Sequence, residues 1–113
     1  MLRGMVAPTP RRRISVRIRL LSPEEGGPRR AWASGSWAHW NLGHTEDGRL
    51  AVEGGRLWLG PLAALPPGEE VDALLEPLVP ELWARVVPGM VLPMHELSRV
   101  IGRAVVCAED AVG

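Results

Sequence analysis

A strict alternation of apolar and polar residues near the start of the chain constrains the fold more than any other feature. Every second residue between Ile14 and Leu20 is isoleucine, valine or leucine, and the residues between them are serine and arginine. This period of two is that of a β-strand with one buried face. The 13 Gly and 11 Pro of the 113-residue chain divide the remainder into short segments, without a long apolar repeat of helical period. The chain is therefore predicted to be one all-β domain, either a small barrel or a sandwich.

Other apolar segments, separated by glycine and proline, extend this prediction along the chain. The segments predicted as strands or shorter apolar runs are residues 31–42, 50–52, 57–59, 71–75, 81–87, 89–94 and 99–107. A hairpin-like turn is predicted at residues 45–48, which have the sequence Thr-Glu-Asp-Gly. Residues 61–67 fit either a loop or one helical turn.

The aromatic residues are predicted to lie mainly in the core. The chain has five Trp and neither Phe nor Tyr, so the indoles must supply the large apolar side chains that a core needs. Trp32 and Trp40 have the same parity along their segment, and Trp37 has the opposite parity. Trp37 is therefore predicted to be exposed, unless Gly35 marks a bulge that resets the alternation.

The alternating segment also sets the predicted domain boundaries. Residues 1–13, which end in three consecutive arginines, are predicted to form a flexible basic arm. Residues 14–108 are predicted to form the barrel, and residues 109–113 a short tail. The chain is thus expected to contain one folded domain.

All 13 basic residues are arginine, and they are unevenly distributed. The formal net charge is zero, but residues 1–60 contain ten Arg and five acids, whereas residues 61–113 contain three Arg and eight acids. Such polarity can create a face that attracts anions. If the two halves interleave in a barrel, their fields largely cancel instead. Because lysine is absent, every mechanism that needs a lysine is excluded, including a phosphate-binding loop of the G-x-x-x-x-G-K-S/T type.

Cys107 is the single cysteine of the chain, which excludes an internal disulfide and suits a reducing compartment. Because residues 105–108 carry no charge, Cys107 is predicted to be a small buried hydrophobe. Residues 1–10 lack the apolar run of a signal peptide. No apolar run approaches the length of about 18 residues that a membrane span needs. A cytoplasmic protein without a membrane span is predicted.

Residues with catalytic or metal-binding potential form no recognisable constellation in the sequence. The possible soft metal ligands are His39, His44, His95 and Cys107. Their spacing fits no zinc pattern. Ser34 lacks the preceding glycine and the following helix of a nucleophile elbow, and Glu24 with Glu25 fits a charged turn better than an acid–base pair. The sequence therefore predicts a non-catalytic protein without a cofactor or a metal ion.

Four sequence motifs occur in the order, and with nearly the spacing, found in one known domain family. They are Glu24-Glu25-Gly26-Gly27, Ser34-Gly35, Pro67-Gly68-Glu69-Glu70-Val71, and the segment 89–102 with Gly89, Glu96, Arg99 and Gly102. Over about residues 14–107, the chain resembles the third, C-terminal domain of elongation factor Tu. The resemblance implies a closed antiparallel β-barrel of about six strands, a fold that leaves no free sheet edge. The GTPase domain of that factor has no counterpart in this sequence.

The resemblance also implies partners. In elongation factor Tu, this barrel packs on the second domain, helps to hold the T-stem of aminoacyl-tRNA and contacts the exchange factor. A binding module is therefore expected, which docks a protein partner of the translation machinery or tRNA-like RNA. The predicted contact residues are Arg29, Arg30, Ser34, Gly35, Trp37, His39, Arg99 and Gly102.

The protein partner is favoured over RNA for two reasons. Residues 37–39 are Trp-Ala-His where the family has Arg-Pro-Gln, so one arginine is missing from that surface. The net charge is also zero, whereas non-specific RNA affinity depends on accumulated phosphate contacts.

Two alternatives remain open at the level of sequence. The arginines in and around the first strand either grip phosphates together or form only a solvated face; they are Arg11, Arg12, Arg13, Arg17, Arg19, Arg29 and Arg30. The second functional hypothesis is a structural module that self-associates or assembles with a separately encoded GTPase. In elongation factor Tu the barrel packs on another domain, so an isolated barrel is expected to expose an apolar patch. An enzyme is the least favoured class.

Overall fold

The apolar face predicted between Ile14 and Leu20 lines the inside of a closed six-stranded antiparallel barrel. The structure is a computed structural model. It describes the backbone of residues 12–111 and the side chains of residues 12–107. The barrel strands are β1 (Arg12–Leu20), β3 (Ser36–His44), β4 (Leu50–Trp58), β6 (Glu70–Pro77), β7 (Val91–Glu96) and β8 (Arg99–Ala111). Strands β2 (Trp32–Ala33) and β5 (Ala64–Leu65) pair as a separate two-stranded sheet. The prediction of an all-β barrel of about six strands is confirmed.

The strand order around the barrel is β1-β6-β4-β3-β7-β8, and β8 returns to β1. The first strand therefore joins two elements that lie far away in sequence. Ile14 of β1 is opposite Leu75 of β6, and Leu20 of β1 is opposite Gly102 of β8. Closure of this ring leaves none of the six barrel strands as a free edge for pairing with another chain.

The inner face of the barrel forms one apolar core. All four apolar residues of β1 between Ile14 and Leu20 are buried, as the alternation predicts. The largest fully buried side chains are Trp40, Trp83, Ile14, Ile18, Leu20, Leu57, Leu59, Leu65, Leu75, Leu92, Met94 and Ile101. The indole N–H of Trp40 donates to the carbonyl oxygen of Gly55 at 3.2 Å. The polar atom of this large side chain is thus satisfied inside the core.

Segments between the strands close the two ends of the barrel. At the end where β1 begins, the 3-10 turn Pro80–Trp83 buries Trp83 completely. The Arg12 guanidinium donates a hydrogen bond to the Trp83 carbonyl oxygen and so ties this turn to β1. At the opposite end, Trp32 of β2 packs against the core and pairs in register with Leu65 of β5. The connecting segments therefore complete the core.

Strand β4 differs from the prediction, which divided residues 50–59 into two short strands at a pair of glycines. The structure has one continuous strand, Leu50–Trp58. A Cβ atom on Gly55 would lie 3.3 Å from the Trp40 indole nitrogen and 3.2 Å from a Leu75 methyl group. The glycine therefore lets the strand pass two large core side chains without a break.

Other segments refine the prediction. Residues 31–42 contain two strands, because the Ser34-Gly35 turn separates β2 from β3. The apolar run at residues 81–87 contributes to a 3-10 turn instead of a strand, since Pro80 occupies a first helical position. Residues 61–67, which fit either a loop or a helical turn, contain the short strand β5.

The predicted domain boundaries shift at both ends of the barrel. Strand β1 begins at Arg12, inside the segment predicted as a basic arm, and residues 1–11 of that arm lie outside the described residues. Strand β8 continues to Ala111, through part of the predicted tail, and residues 112–113 lie outside the described residues as well.

The prediction of a buried Cys107 was wrong. Its thiol is exposed. Val106 is buried on the inner face of β8, and because successive strand residues face opposite sides, Cys107 lies on the outer face.

Replacement of Trp83 by Ala is expected to lower the free energy of unfolding by about 3–5 kcal/mol, because it leaves a cavity at the end of the core. Leu82→Ala in the same turn is the matched control. Leu82 is exposed, so its loss should cost no more than about 0.5 kcal/mol. Urea unfolding followed by circular dichroism measures both values. Equal losses in the two variants would contradict the core position of Trp83.

Candidate partner-binding surface

Three of the predicted contact residues, Arg29, Arg30 and Arg99, converge at one groove. The groove, which we call the arginine groove, has a volume of about 560 Å³. It is lined by residues 27–33, Ser36, Glu96 and Arg99. The two sequence segments that carry the arginines are far apart in the chain, and the barrel brings them together.

The barrel topology explains this convergence. Strands β7 and β8 form a hairpin in which Glu96 pairs with Arg99, so Arg99 lies at the end of the barrel where β1 terminates. The segment with Arg29 and Arg30 leaves the 3-10 turn Pro23–Glu25 at the same end. Ser36 then begins β3 beside both segments. The arginine groove is therefore a feature of the barrel end, built from two connecting segments.

The three guanidinium groups of the arginine groove are available for a ligand. Arg29, Arg30 and Arg99 are exposed, and none of them forms an ion pair with another described residue. Glu96 is the one acidic residue that lines the groove. Unpaired guanidiniums favour carboxylates and phosphates, which they bind with two parallel hydrogen bonds.

One residue that lines the groove carries a buried hydrogen-bond donor. The Nε1 atom of Trp32 is inaccessible to solvent and has no acceptor among the described residues. Trp32 lines the groove together with the arginines. Because its Nε1 atom is inaccessible, this N–H is a free-energy cost to the fold and not a group exposed to a ligand.

Arg17 and Arg19, which the sequence places on one polar strand face, are not available in the same way. The Arg17 guanidinium donates to Glu70 at 2.6 Å and to Asp72 at 2.8 Å, and both acids lie on the neighbouring strand β6. The hydrogen bond to Glu70, followed by that to Asp72, raises the pKa of Arg17. Arg19 donates to Glu25 at 2.7 Å, which raises the pKa of Arg19.

The two ion pairs of Arg17 show how the two halves of the chain interleave. The basic strand β1 comes from the N-terminal half, and the acidic strand β6 beside it comes from the C-terminal half. Their charges cancel along this wall of the barrel, so the predicted arginine stripe does not extend into a continuous basic surface there. Arg29, Arg30 and Arg99, by contrast, come together at the arginine groove without an ion pair to another described residue.

Three other predicted contact residues have roles in the barrel wall. Ser34 accepts a hydrogen bond from the Leu59 backbone N–H at 2.9 Å. Gly35 has a φ of 86°, and a Cβ atom there would lie 2.8 Å from the Trp58 ring. Gly102 is buried, and a Cβ atom there would lie 2.9 Å from the Arg19 carbonyl oxygen. Each of them thus supports a close approach between neighbouring parts of the wall.

Trp37 is exposed, as its parity predicts, with 43% of its surface accessible. The Arg56 guanidinium carbon lies 4.5 Å from the centroid of the Trp37 ring and 6.0 Å from that of Trp58. The Trp58 indole N–H donates in turn to Glu76 at 2.8 Å. The outer face of β3 and β4 thus carries a cation–π arrangement that holds the exposed indole in place.

A shallow depression lies beside the exposed indole. The tryptophan depression, as we call it, has a volume of about 430 Å³ and is lined by Trp37, Ala38, His39, Gly54 and Leu78. Leu78 is 58% exposed, and its backbone N–H donates to the Gly54 carbonyl oxygen at 3.0 Å. Leu78 was not among the contact residues predicted from the sequence. In the sequence, Leu78 belongs to a Leu-Val pair between Pro77 and Pro80, and this pair is too short to be predicted as a strand.

The tip of the β7–β8 hairpin adds an apolar residue at the rim of the arginine groove. Leu97 follows the groove residue Glu96 and is 91% exposed. It has a φ of 57°, the one positive φ among the described residues other than glycine. A left-handed conformation is unfavourable for a leucine side chain, and such residues often occur in functional loops.

Neither a cluster of possible metal ligands nor a membrane-spanning helix occurs in the described part of the chain. No group of three or more His, Cys, Asp or Glu side chains among the described residues could hold a metal ion. No helix within residues 12–111 is long and apolar enough to cross a membrane.

A scan against protein-family models finds no match for this chain, and a search of the curated proteins finds no significant match. Membership of the elongation factor Tu family therefore stays a prediction. The structure confirms the barrel that the resemblance implies, and a barrel alone does not determine a function.

The hydrogen bond between Arg19 and Glu25 predicts a pH dependence. This bond, together with the Ser22 backbone N–H, lowers the pKa of Glu25 from 4.5 to about 2. Because the folded-state pKa is depressed, the stabilisation is present above the unfolded-state pKa and is lost as pH falls from about 4.5 to about 2. An NMR titration of the Glu25 carboxyl group should show this low midpoint, and Arg19→Gln should raise it. Arg17→Gln is the control; a Glu25 midpoint equally insensitive to both changes would contradict the assigned pair.

Leu97→Gly is expected to raise the free energy of unfolding by about 1 kcal/mol, since glycine adopts a positive φ without steric cost. Ser98→Gly serves as the control, because Ser98 lies in the same turn with a negative φ and should gain nothing. Thermal unfolding monitored by circular dichroism compares the two variants. A lower stability of Leu97→Gly would show that the leucine side chain contributes more than its backbone conformation costs.

Proposed function

We propose that this protein is a non-catalytic binding module that docks a protein partner in the arginine groove. The observation that carries the proposal is the convergence of Arg29, Arg30 and Arg99 at one groove without a described acidic partner. Arg17 and Arg19 on the neighbouring wall are both neutralised by acids. Three guanidiniums at one groove, none of them ion-paired with another described residue, are suited to bind an anionic group there.

A protein is favoured over RNA by the surroundings of these arginines. Stable binding of RNA needs many phosphate contacts, and the groove offers three guanidiniums beside the carboxylate of Glu96. Leu97 at its rim is almost fully exposed, so a protein bound at the groove could remove its side chain from water. The resemblance to elongation factor Tu suggests that the partner belongs to the translation machinery in the cytoplasm.

Charge reversal in the groove tests this proposal. The double variant Arg29→Glu/Arg30→Glu is expected to lose a protein partner that wild-type protein captures from cytoplasmic extract at low and at moderate salt. The control variant Arg49→Glu/Arg103→Glu changes the net charge equally outside the groove and should keep the partner. Capture of tRNA that disappears as salt rises would favour RNA instead. Equal capture by both double variants would contradict the assignment of the groove.

A structural, self-associating module is the second candidate function, and exposed apolar residues favour it. Leu78, Val79 and Leu82 are all at least 42% exposed, and they surround the turn that follows β6. Apolar clusters on the surface of a small domain often mark contacts with a second protein, here either another copy of the barrel or a separately encoded GTPase. Light scattering distinguishes the first of these, since a strictly monomeric protein would contradict self-association.

A further inference from the structure

The arginine groove and the tryptophan depression share one strand, and their proximity indicates what kind of partner they fit. Ser36 lines the groove, and Trp37, Ala38 and His39 line the depression. These residues are consecutive in β3. From this proximity we infer that a single extended protein segment occupies both sites, with acidic side chains in the groove and an apolar side chain in the depression. The inference rests on the proposed function, because it identifies the chemistry of the partner bound by the same groove.

The groove determines which side chains the first half of the bound segment carries. The groups it offers to a ligand are chiefly donors, namely the three guanidiniums of Arg29, Arg30 and Arg99. Carboxylates are the side chains that accept several such hydrogen bonds at once. Glu96 lies at the same groove and would repel a lone carboxylate, so two or more acidic side chains that reach the arginines are expected.

The depression determines the second half. Its walls include the Trp37 indole and the Leu78 side chain, and Gly54 leaves space between them. None of its lining residues is acidic, so an acidic segment is not repelled as it crosses from the groove. A leucine or phenylalanine side chain fits such an apolar depression and gains free energy from the area it removes from water.

The strand fixes the spacing between the two halves. His39 lies three positions after Ser36, which corresponds to about 10 Å along a strand. An extended ligand that runs beside β3 would therefore place its apolar anchor about three residues from its acidic group. This spacing distinguishes the segment from a merely acidic tail.

Gly54 provides a selective way to block the depression. A Cβ atom there would lie 3.6 Å from the Leu78 side chain, an ordinary contact distance, and Gly54 does not have a positive φ. Gly54→Val is therefore expected to fold and to fill the depression, while the groove stays unchanged. Leu78→Ser is a second variant, which removes a wall of the depression. Val52→Thr on the same outer face of β4, outside the depression, is the matched control.

The probes are fluorescent peptides measured by anisotropy against the full chain. The bipartite peptide carries three glutamates, a Ser-Gly spacer and a Leu-Phe pair, and it is made in both orders. Two further peptides replace either the Leu-Phe pair by serines or the glutamates by glutamines. We expect the better bipartite peptide to bind at least about tenfold more tightly than either single-feature peptide.

The protein variants test separately whether the depression and the groove contribute to peptide binding. Gly54→Val and Leu78→Ser should reduce binding of the bipartite peptide to that of the acidic peptide, whereas Val52→Thr should not. Arg29→Glu/Arg30→Glu should abolish binding of both. If the acidic and bipartite peptides bind equally well to wild-type protein, the inference fails and the proposed function stands. If neither peptide binds and tRNA binds through the same arginines, both the inference and the proposed function fail.

Discussion

The double pairing of the first strand is the constraint on which the rest of this structure depends. Strand β1 pairs with β6 on one side and with β8 on the other, and its four apolar residues between Ile14 and Leu20 lie inside the ring. A shift of register by one residue would turn this whole apolar face towards solvent. Closure therefore fixes the positions of the connecting segments, and with them the position of the arginine groove.

The same pairing distributes the charge. Because the basic β1 lies beside the acidic β6, Arg17 finds Glu70 and Asp72 at hydrogen-bond distance, and the charge asymmetry of the sequence disappears along that wall. Arg29 and Arg30 follow the end of β1, beyond the reach of these acids, and Arg99 belongs to the hairpin beside them. A chain with no net charge thus retains three arginines without described acidic partners at one end of the barrel.

The alternation of apolar and polar residues predicted those features that depend only on which face of a strand a residue occupies. The buried face of β1 and the exposure of Trp37 are examples, since both follow from a period of two. The apolar neighbours of Cys107 suggested burial, but Val106 takes the inward position and so turns Cys107 outward. The alternation along one strand could not predict which distant segments pair with one another. The ion pairs of Arg17, the closeness of Gly54 to Leu78, and the unpartnered Trp32 indole all depend on register across strands.

The central claim is that the three unpaired arginines of the groove form one receptor for carboxylates. NMR spectra of the arginine Nε–Hε groups test it most directly during titration with an acidic peptide. The account predicts that the signals of Arg29, Arg30 and Arg99 shift together with one apparent affinity, while those of Arg17 and Arg19, which are already paired, stay in place. Shifts confined to Arg17 and Arg19, or the absence of a shift at Arg29, Arg30 and Arg99, would contradict it.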